Sequence, residues 1–289
     1  MDNKKQLSKE VFNEPNEQYV EFIDIKNENQ KETYFIKQIP NIFTLLNLVF
    51  GCMAIVFTLQ NGIIIFTDAT GSQLVDIPEK IWYASLFIGL AAVVDFLDGF
   101  VARLFNATSD MGKQLDSLAD VVSFGVAPGM IIYQFLRLSL AQEENGLEAS
   151  MLWLLPAFLL PCAGAWRLAR FNLDTEQTYH FKGVPIPAVG LLVASLPLIY
   201  WTNNQEWVRN LLLNKWFLLA LIAVLCYLMV STLTIMAFKF KNLKLADNLP
   251  KYMVVAVAIV AGIFLQWMAV PVVFITYVLV SLLFKNKAA

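Results

Sequence analysis

Four carboxylates pose the chemical question. They lie in the stretch DFLDGFVARLFNATSDMGKQLDSLAD, residues 95–120. Asp95, Asp98, Gly99 and Ala102 recur at i, i+3, i+4 and i+7, which places them on one face of a helix. Gly112, Asp116 and Asp120 recur at i, i+4 and i+8, again on one face. A short link, about residues 104–112, makes the two helices antiparallel neighbours whose acidic faces can meet. Two unit charges about 4 Å apart repel by about 4 kcal/mol at an effective dielectric near 20. Either several of these groups are protonated or cations lie between them. An all-oxygen donor set selects hard cations, Mg²⁺, Mn²⁺ or Ca²⁺. Two such ions bridged by shared carboxylates suit an in-line phosphoryl displacement. Gly99 and Gly112 each cost a helix about 1 kcal/mol relative to alanine. With Ala102 they leave a gap beside the acids, room for a bulky phosphorylated ligand close to the backbone. For one aspartate in an apolar helix a polar helix–helix contact is the competing reading, which four at matched spacing do not share. Asp110 falls off the pattern and is expected in solvent.

The elements that must position these groups are apolar. Of the 289 residues 58% are hydrophobic and 15% charged, where soluble domains carry about a quarter charged. The fold expected is an all-α polytopic membrane helix bundle. Spans of about 20 residues fall near 41–60, 82–104, 116–137, 151–171, 186–202, 216–238, 252–268 and 270–284. These make about eight transmembrane helices, with seven the alternative. The last two are split by Ala269 and Pro271 and are expected as a hairpin or tilted pair. Residues 1–38 form a polar N-terminal arm, disordered or lying on the membrane surface, without a signal-peptide pattern. A net charge of −2 gives no footprint for nucleic acid. Cys52, Cys162 and Cys226 lie far apart in apolar runs and read as packed free thiols.

Of the 21 Lys and Arg, all but Lys80, Arg137, Arg209 and Lys215 fall on the side of the N-terminus. Both termini are therefore expected in the cytoplasm, with the acidic site on the cytoplasmic side of the inner membrane.

The pattern Asp95-x2-Asp98-Gly99-x2-Ala102-Arg103-x8-Gly112-x3-Asp116-x3-Asp120 resembles the full signature of the CDP-alcohol phosphatidyltransferase family. The resemblance implies a six-helix catalytic core over residues 39–240, with 241–289 a two-helix extension. It implies that a hydroxyl attacks the β-phosphorus of a CDP-linked lipid and CMP leaves. It further implies two divalent cations held by Asp95, Asp98, Asp116 and Asp120, Asp120 as general base, and a homodimer. The segments SFGVAPG (123–129), RLARFN (167–172) and FKGVPIPA (181–188) resemble the branch whose acceptor is L-serine and whose donor is CDP-diacylglycerol.

Serine is zwitterionic, and its carboxylate calls for an arginine or backbone N–H groups. Arg167 and Arg170 fall at the cytoplasmic end of the fourth span and are candidates, with Asn172 as a further donor; simple snorkelling of both arginines is the competing reading. Ser123 lies one turn beyond Asp120 and either faces the pocket or bonds to backbone near Gly125 and Pro128. In the first span Asn41, Thr44, Asn47 and Gly51 form a polar stripe that should face protein. Asn41 and Thr44 are the CDP-lipid candidates there, together with Asp98, Gly99, Ala102, Arg103 and Gly112; packing is the competing role for Asn47 and Gly51. Pro40 suits the first position of a helix. His180 is expected on the surface, the basic run 239–244 against anionic headgroups, and Tyr83, Trp201, Trp207 and Trp216 at the membrane interface. Glycerol 3-phosphate or an inositol phosphate is the alternative acceptor, and a cation carrier is the alternative class, since intramembrane carboxylates often mark ion paths.

Overall fold

The computed structural model describes residues 17–60, 64–67, 73–76, 80–105, 107–143, 150–174, 180–237 and 245–284. The chain begins there with helix α1 (Glu17–Leu59), which carries Pro40 in its interior. This corrects two expectations. Residues 17–37 are helical and continue into the first span, where disorder is one of the two expectations for the arm, and Pro40 is not a helix start. Glu, Lys and Gln dominate that segment, and they are good helix formers. The proline deprives the ladder of only one N–H. Residues 1–16 and the basic run 239–244 lie outside the described residues.

A short antiparallel ribbon, β1 (Ile64–Thr67) and β2 (Gln73–Asp76), leads to α2 (Ile81–Leu104). Helix α3 (Asp110–Asp120) starts at Ser109, whose side chain accepts the Gly112 N–H at 3.0 Å. It passes through a π-helical turn, Val121–Val126, into α4 (Ala127–Ala141). The turn has a local cause. Pro128 cannot donate to the carbonyl four residues back, and the Ala127 N–H reaches Val122, five residues back. The extra residue re-registers the helix just past Asp120.

Two 3₁₀ turns precede α5 (Leu159–Leu173). Strand β3 (His180–Lys182) pairs antiparallel with β4 (Thr234–Met236), so His180 begins a strand and does not sit in an open loop. Between these strands run α6 (Ile186–Thr202), α7 (Glu206–Leu212) and α8 (Lys215–Val230). Gly183, with φ of +81°, makes the turn from β3 toward α6, where a Cβ would strike the Met229 carbonyl.

Helices α9 (Leu245–Leu265) and α10 (Ala269–Leu283) pack against each other. The reversal comes at Gln266, φ +50°, a few residues earlier than Ala269 and Pro271 suggest. Met268 meets Asn203 at one end of the bundle, while Tyr277 and Ser281 bond the backbone of Met236 at the other. Among the described residues five helical stretches are long and apolar enough to cross a bilayer, or six if the bent pair Glu206–Leu212 and Lys215–Val230 is one span. In the 18-residue apolar window of Asp110–Ala141 56% of the residues are buried, against 17% in that of Asn248–Leu283, so the first lies toward the centre and the second toward the rim. Cys52 and Cys162 are free but exposed on apolar helices, not packed as expected; Cys226 is half-buried.

Helix α1 packs along α2, α3 and the π turn. The closest approach is at Gly51, where a Cβ would stand 2.8 Å from the Ser123 Cα. The Ser123 hydroxyl donates to the Asn47 carbonyl across the same seam at 3.0 Å. Gly51→Ala is therefore expected to destabilise the protein by about 1–3 kcal/mol through overpacking. A lowered melting midpoint in detergent checks this; an unchanged midpoint would mean the seam yields.

Candidate active site

The two acidic faces converge where α2 ends and α3 begins. One carboxylate oxygen from each of Asp95, Asp98 and Asp116 lies within 4.8 Å of the others. Asp95 is also within hydrogen-bonding reach of Asp120, one turn along α3 from Asp116. Three of the four signature acids thus form the tight cluster, and Asp120 adjoins it through Asp95. Asp120 is buried, and its Oδ1 has no hydrogen-bond partner. An all-oxygen set this compact, with an orphaned buried carboxylate oxygen beside it, fits a hard divalent cation.

Above the cluster is an open cleft of about 190 Å³. The sequence candidates Asn41, Thr44, Asp98, Gly99, Ala102, Arg103, Gly112 and Asp116 all line it. The small residues Gly99, Ala102 and Gly112 line it, and the two glycines lie close to neighbouring side chains. A Cβ on Gly112 would come within 3.1 Å of Asn41 Oδ1, and one on Gly99 within 3.4 Å of the Arg103 guanidinium. Thr44 donates to Asp98 Oδ2 at 2.7 Å, with the Pro40 carbonyl as its alternative acceptor at 3.1 Å. Asn41 donates to Gln38 at 2.7 Å. Thr108, Ser109 and Lys113 also line the cleft and were not singled out from the sequence. They surround the start of α3, and the cap motif Ser109-x2-Gly112 was the available signal. A helix N-terminus beside a lysine favours an anionic ligand.

The serine-binding candidates separate. Arg167 is buried, stacks over Phe171 at 5.6 Å, and lies within electrostatic range of Asp120. Arg170 is instead a structural staple. Its guanidinium donates to the carbonyls of Val230, Ser231 and Lys182 at 2.8, 2.9 and 3.0 Å, tying α5 to the end of α8 and to β3. Ser123 is fully buried against α1 and does not line the cleft. Asn172 is spent on Ser117 at 2.8 Å, on an exposed face of α3. Asp110 is exposed at the start of α3, as expected.

The family model for CDP-alcohol phosphatidyltransferase matches residues 37–228, more than half of the chain. The chain belongs to the CDP-alcohol phosphatidyltransferase family. Within that match lie all the acids of the cluster and every residue of the cleft. The protein is similar to CDP-diacylglycerol–serine O-phosphatidyltransferase of Helicobacter pylori, with 32% identity over 266 residues, 86% of this chain and 96% of the relative. The enzyme of the same name from Bacillus subtilis is 38% identical over 122 residues, 42% of this chain and 64% of the relative. That from Methanocaldococcus jannaschii is 42% identical over 106 residues, 37% and 46% respectively.

In this phosphatidyltransferase Thr44 fixes Asp98 from outside the acidic cluster. Thr44→Val keeps the shape and removes the hydroxyl, so Mn²⁺ affinity should fall about 10- to 100-fold. A metal-binding titration on the purified protein measures it, and wild-type affinity would show that Asp98 orients itself.

Proposed function

We propose that this enzyme transfers the phosphatidyl group of CDP-diacylglycerol to the hydroxyl of L-serine, giving phosphatidylserine and CMP. The observation that carries the reading is the convergence of Asp95, Asp98 and Asp116 beneath a one-sided cleft, with Asp120 and Arg167 beyond it. The similarity over 86% of the chain to a serine-using relative supports the acceptor.

Asp95, Asp98, Asp116 and Asp120 would hold two divalent cations, Mg²⁺ or Mn²⁺. When bound, these neutralise the diphosphate and stabilise the CMP leaving group, the largest electrostatic contribution to the rate. Asn41, Thr44, Gly99, Ala102, Arg103 and Gly112 bind the CDP-lipid, the small residues letting it approach the backbone. Arg167 holds the serine carboxylate. Asp120, through its unpartnered Oδ1, accepts the proton of the serine hydroxyl as that oxygen attacks the β-phosphorus. The bond from that phosphorus to the CMP oxygen breaks in line, and no covalent enzyme intermediate forms.

Two features favour serine over a phosphorylated acceptor. Arg170 is committed to backbone carbonyls, and Lys182 pairs with Asp174 at 2.5 Å. A carrier is disfavoured because Asp98 and Asp120, the buried acids among the described residues, lie at one end of the bundle. The remaining proposals are an inner-membrane location with the cleft facing the cytoplasm, CDP-lipid entry from that leaflet, and a catalytic core over 39–240 followed by the hairpin. Residues Lys80, Arg137, Arg209 and Lys215 at the far end support the orientation. A homodimer completes the proposal, on family resemblance alone.

The test is CMP release by purified protein with CDP-diacylglycerol and Mn²⁺, comparing L-serine, glycerol 3-phosphate and an inositol phosphate, with and without chelator. Serine alone should support chelator-sensitive turnover; preference for another acceptor would overturn the assignment. Asp120→Asn should lower turnover by about 10²–10⁴-fold while CDP-lipid binding is retained. Equal loss of both would assign Asp120 to ligand binding instead of proton transfer.

A further inference from the structure

Asn47 is fully buried in α1, and neither its Nδ2 nor its Oδ1 has a hydrogen-bond partner. An unpaired amide in the interior of a membrane helix bundle costs several kcal/mol. Such a group persists where a ligand or water satisfies it. Its position is fixed on both sides. One turn toward the cytoplasm, Thr44 bonds Asp98. Its own carbonyl receives the Ser123 hydroxyl. Each helix rises about 4.5 Å over three residues. Because Thr44 touches Asp98, Asn47 lies level with Asp95, three residues deeper on α2. Because Ser123 touches the Asn47 carbonyl, Asp120 lies one turn of α3 from that contact. Asn47 therefore stands at the depth of Asp95 and within about one helical turn of Asp120, below the floor of the cleft, whose α1 lining stops at Thr44.

We infer that Asn47 is a specificity-determining residue that receives the α-ammonium group of the acceptor on its amide oxygen. This rests on the serine-transferase reading. The chemistry divides the acceptor's three polar groups among three side chains. Asp120 takes the hydroxyl proton, Arg167 suits the carboxylate, and the ammonium needs an uncharged acceptor that will not add to the crowded acidic charge. An amide oxygen supplies that, while its NH₂ group donates to the acceptor's oxygens. A phosphorylated polyol offers no cation for this position.

The test uses leucine, which is close in size to asparagine and carries no polar atom. In Asn47→Leu an unpaired polar group is removed, so the melting midpoint in detergent should hold or rise. CDP-diacylglycerol binding should stay as in wild type. The catalytic preference for L-serine over 3-hydroxypropionate, which lacks the ammonium group, should shrink by at least about tenfold, as expected for a lost hydrogen bond to a charged group. Asn47→Ala is read in the same way if the leucine variant does not accumulate. An unchanged preference in either variant that still binds CDP-lipid overturns the inference, leaving Asn47 a buried packing residue. Absence of serine turnover by the wild-type enzyme would instead refute the reading on which it rests.

Discussion

Mutual repulsion among four carboxylates governs this molecule. Each of Asp95, Asp98, Asp116 and Asp120 is wholly or partly withdrawn from water, and three of them bring oxygens within 4.8 Å. In such surroundings the charges cannot coexist without opposite charge between them. Protonation or a divalent cation resolves the conflict, and the compact all-oxygen set fits the cation. A diphosphate is a ligand that gains from divalent charge, in keeping with the family to which the chain belongs. The bundle can be read as the scaffold that keeps the acids at that distance.

Helix α1 carries much of that load. It holds Asp98 through Thr44, lines the cleft with Asn41, and meets the π turn so closely that only glycine fits at position 51. The π turn lets one continuous helix present Asp116 and Asp120 to α2 and then bury Ser123 and Phe124 against other partners. On the opposite side Arg170 fastens α5 to the end of α8 and to β3, and α10 grips β4 through Tyr277 and Ser281. The Arg170 bonds anchor the segment that carries Arg167. The C-terminal hairpin, beyond the family match, thus contributes to the same end of the bundle as the acids.

The acidic faces and their small neighbours were legible in the sequence because helical periodicity converts spacing directly into a shared face. Hydropathy likewise marked the apolar helices, although Pro40 gave a false start to α1. A proline signals a helix beginning only if the residues before it are not themselves helical. The roles of Arg167 and Arg170 could not be separated by reading. They occupy the same helix end, and their difference comes from carbonyls at Val230 and Ser231, far along the chain. Ser123 was ambiguous for the same reason, since its partner is a backbone carbonyl on α1. Asn47 looked like packing because periodicity shows which face a residue occupies but not whether its amide finds a partner.

The most direct measurement is anomalous diffraction at the manganese edge from crystals grown with Mn²⁺ and a CDP-lipid. The account predicts manganese bound by Asp95, Asp98 and Asp116 at the base of the cleft, against the diphosphate. Manganese absent from these carboxylates, with the nucleotide bound elsewhere, would contradict it.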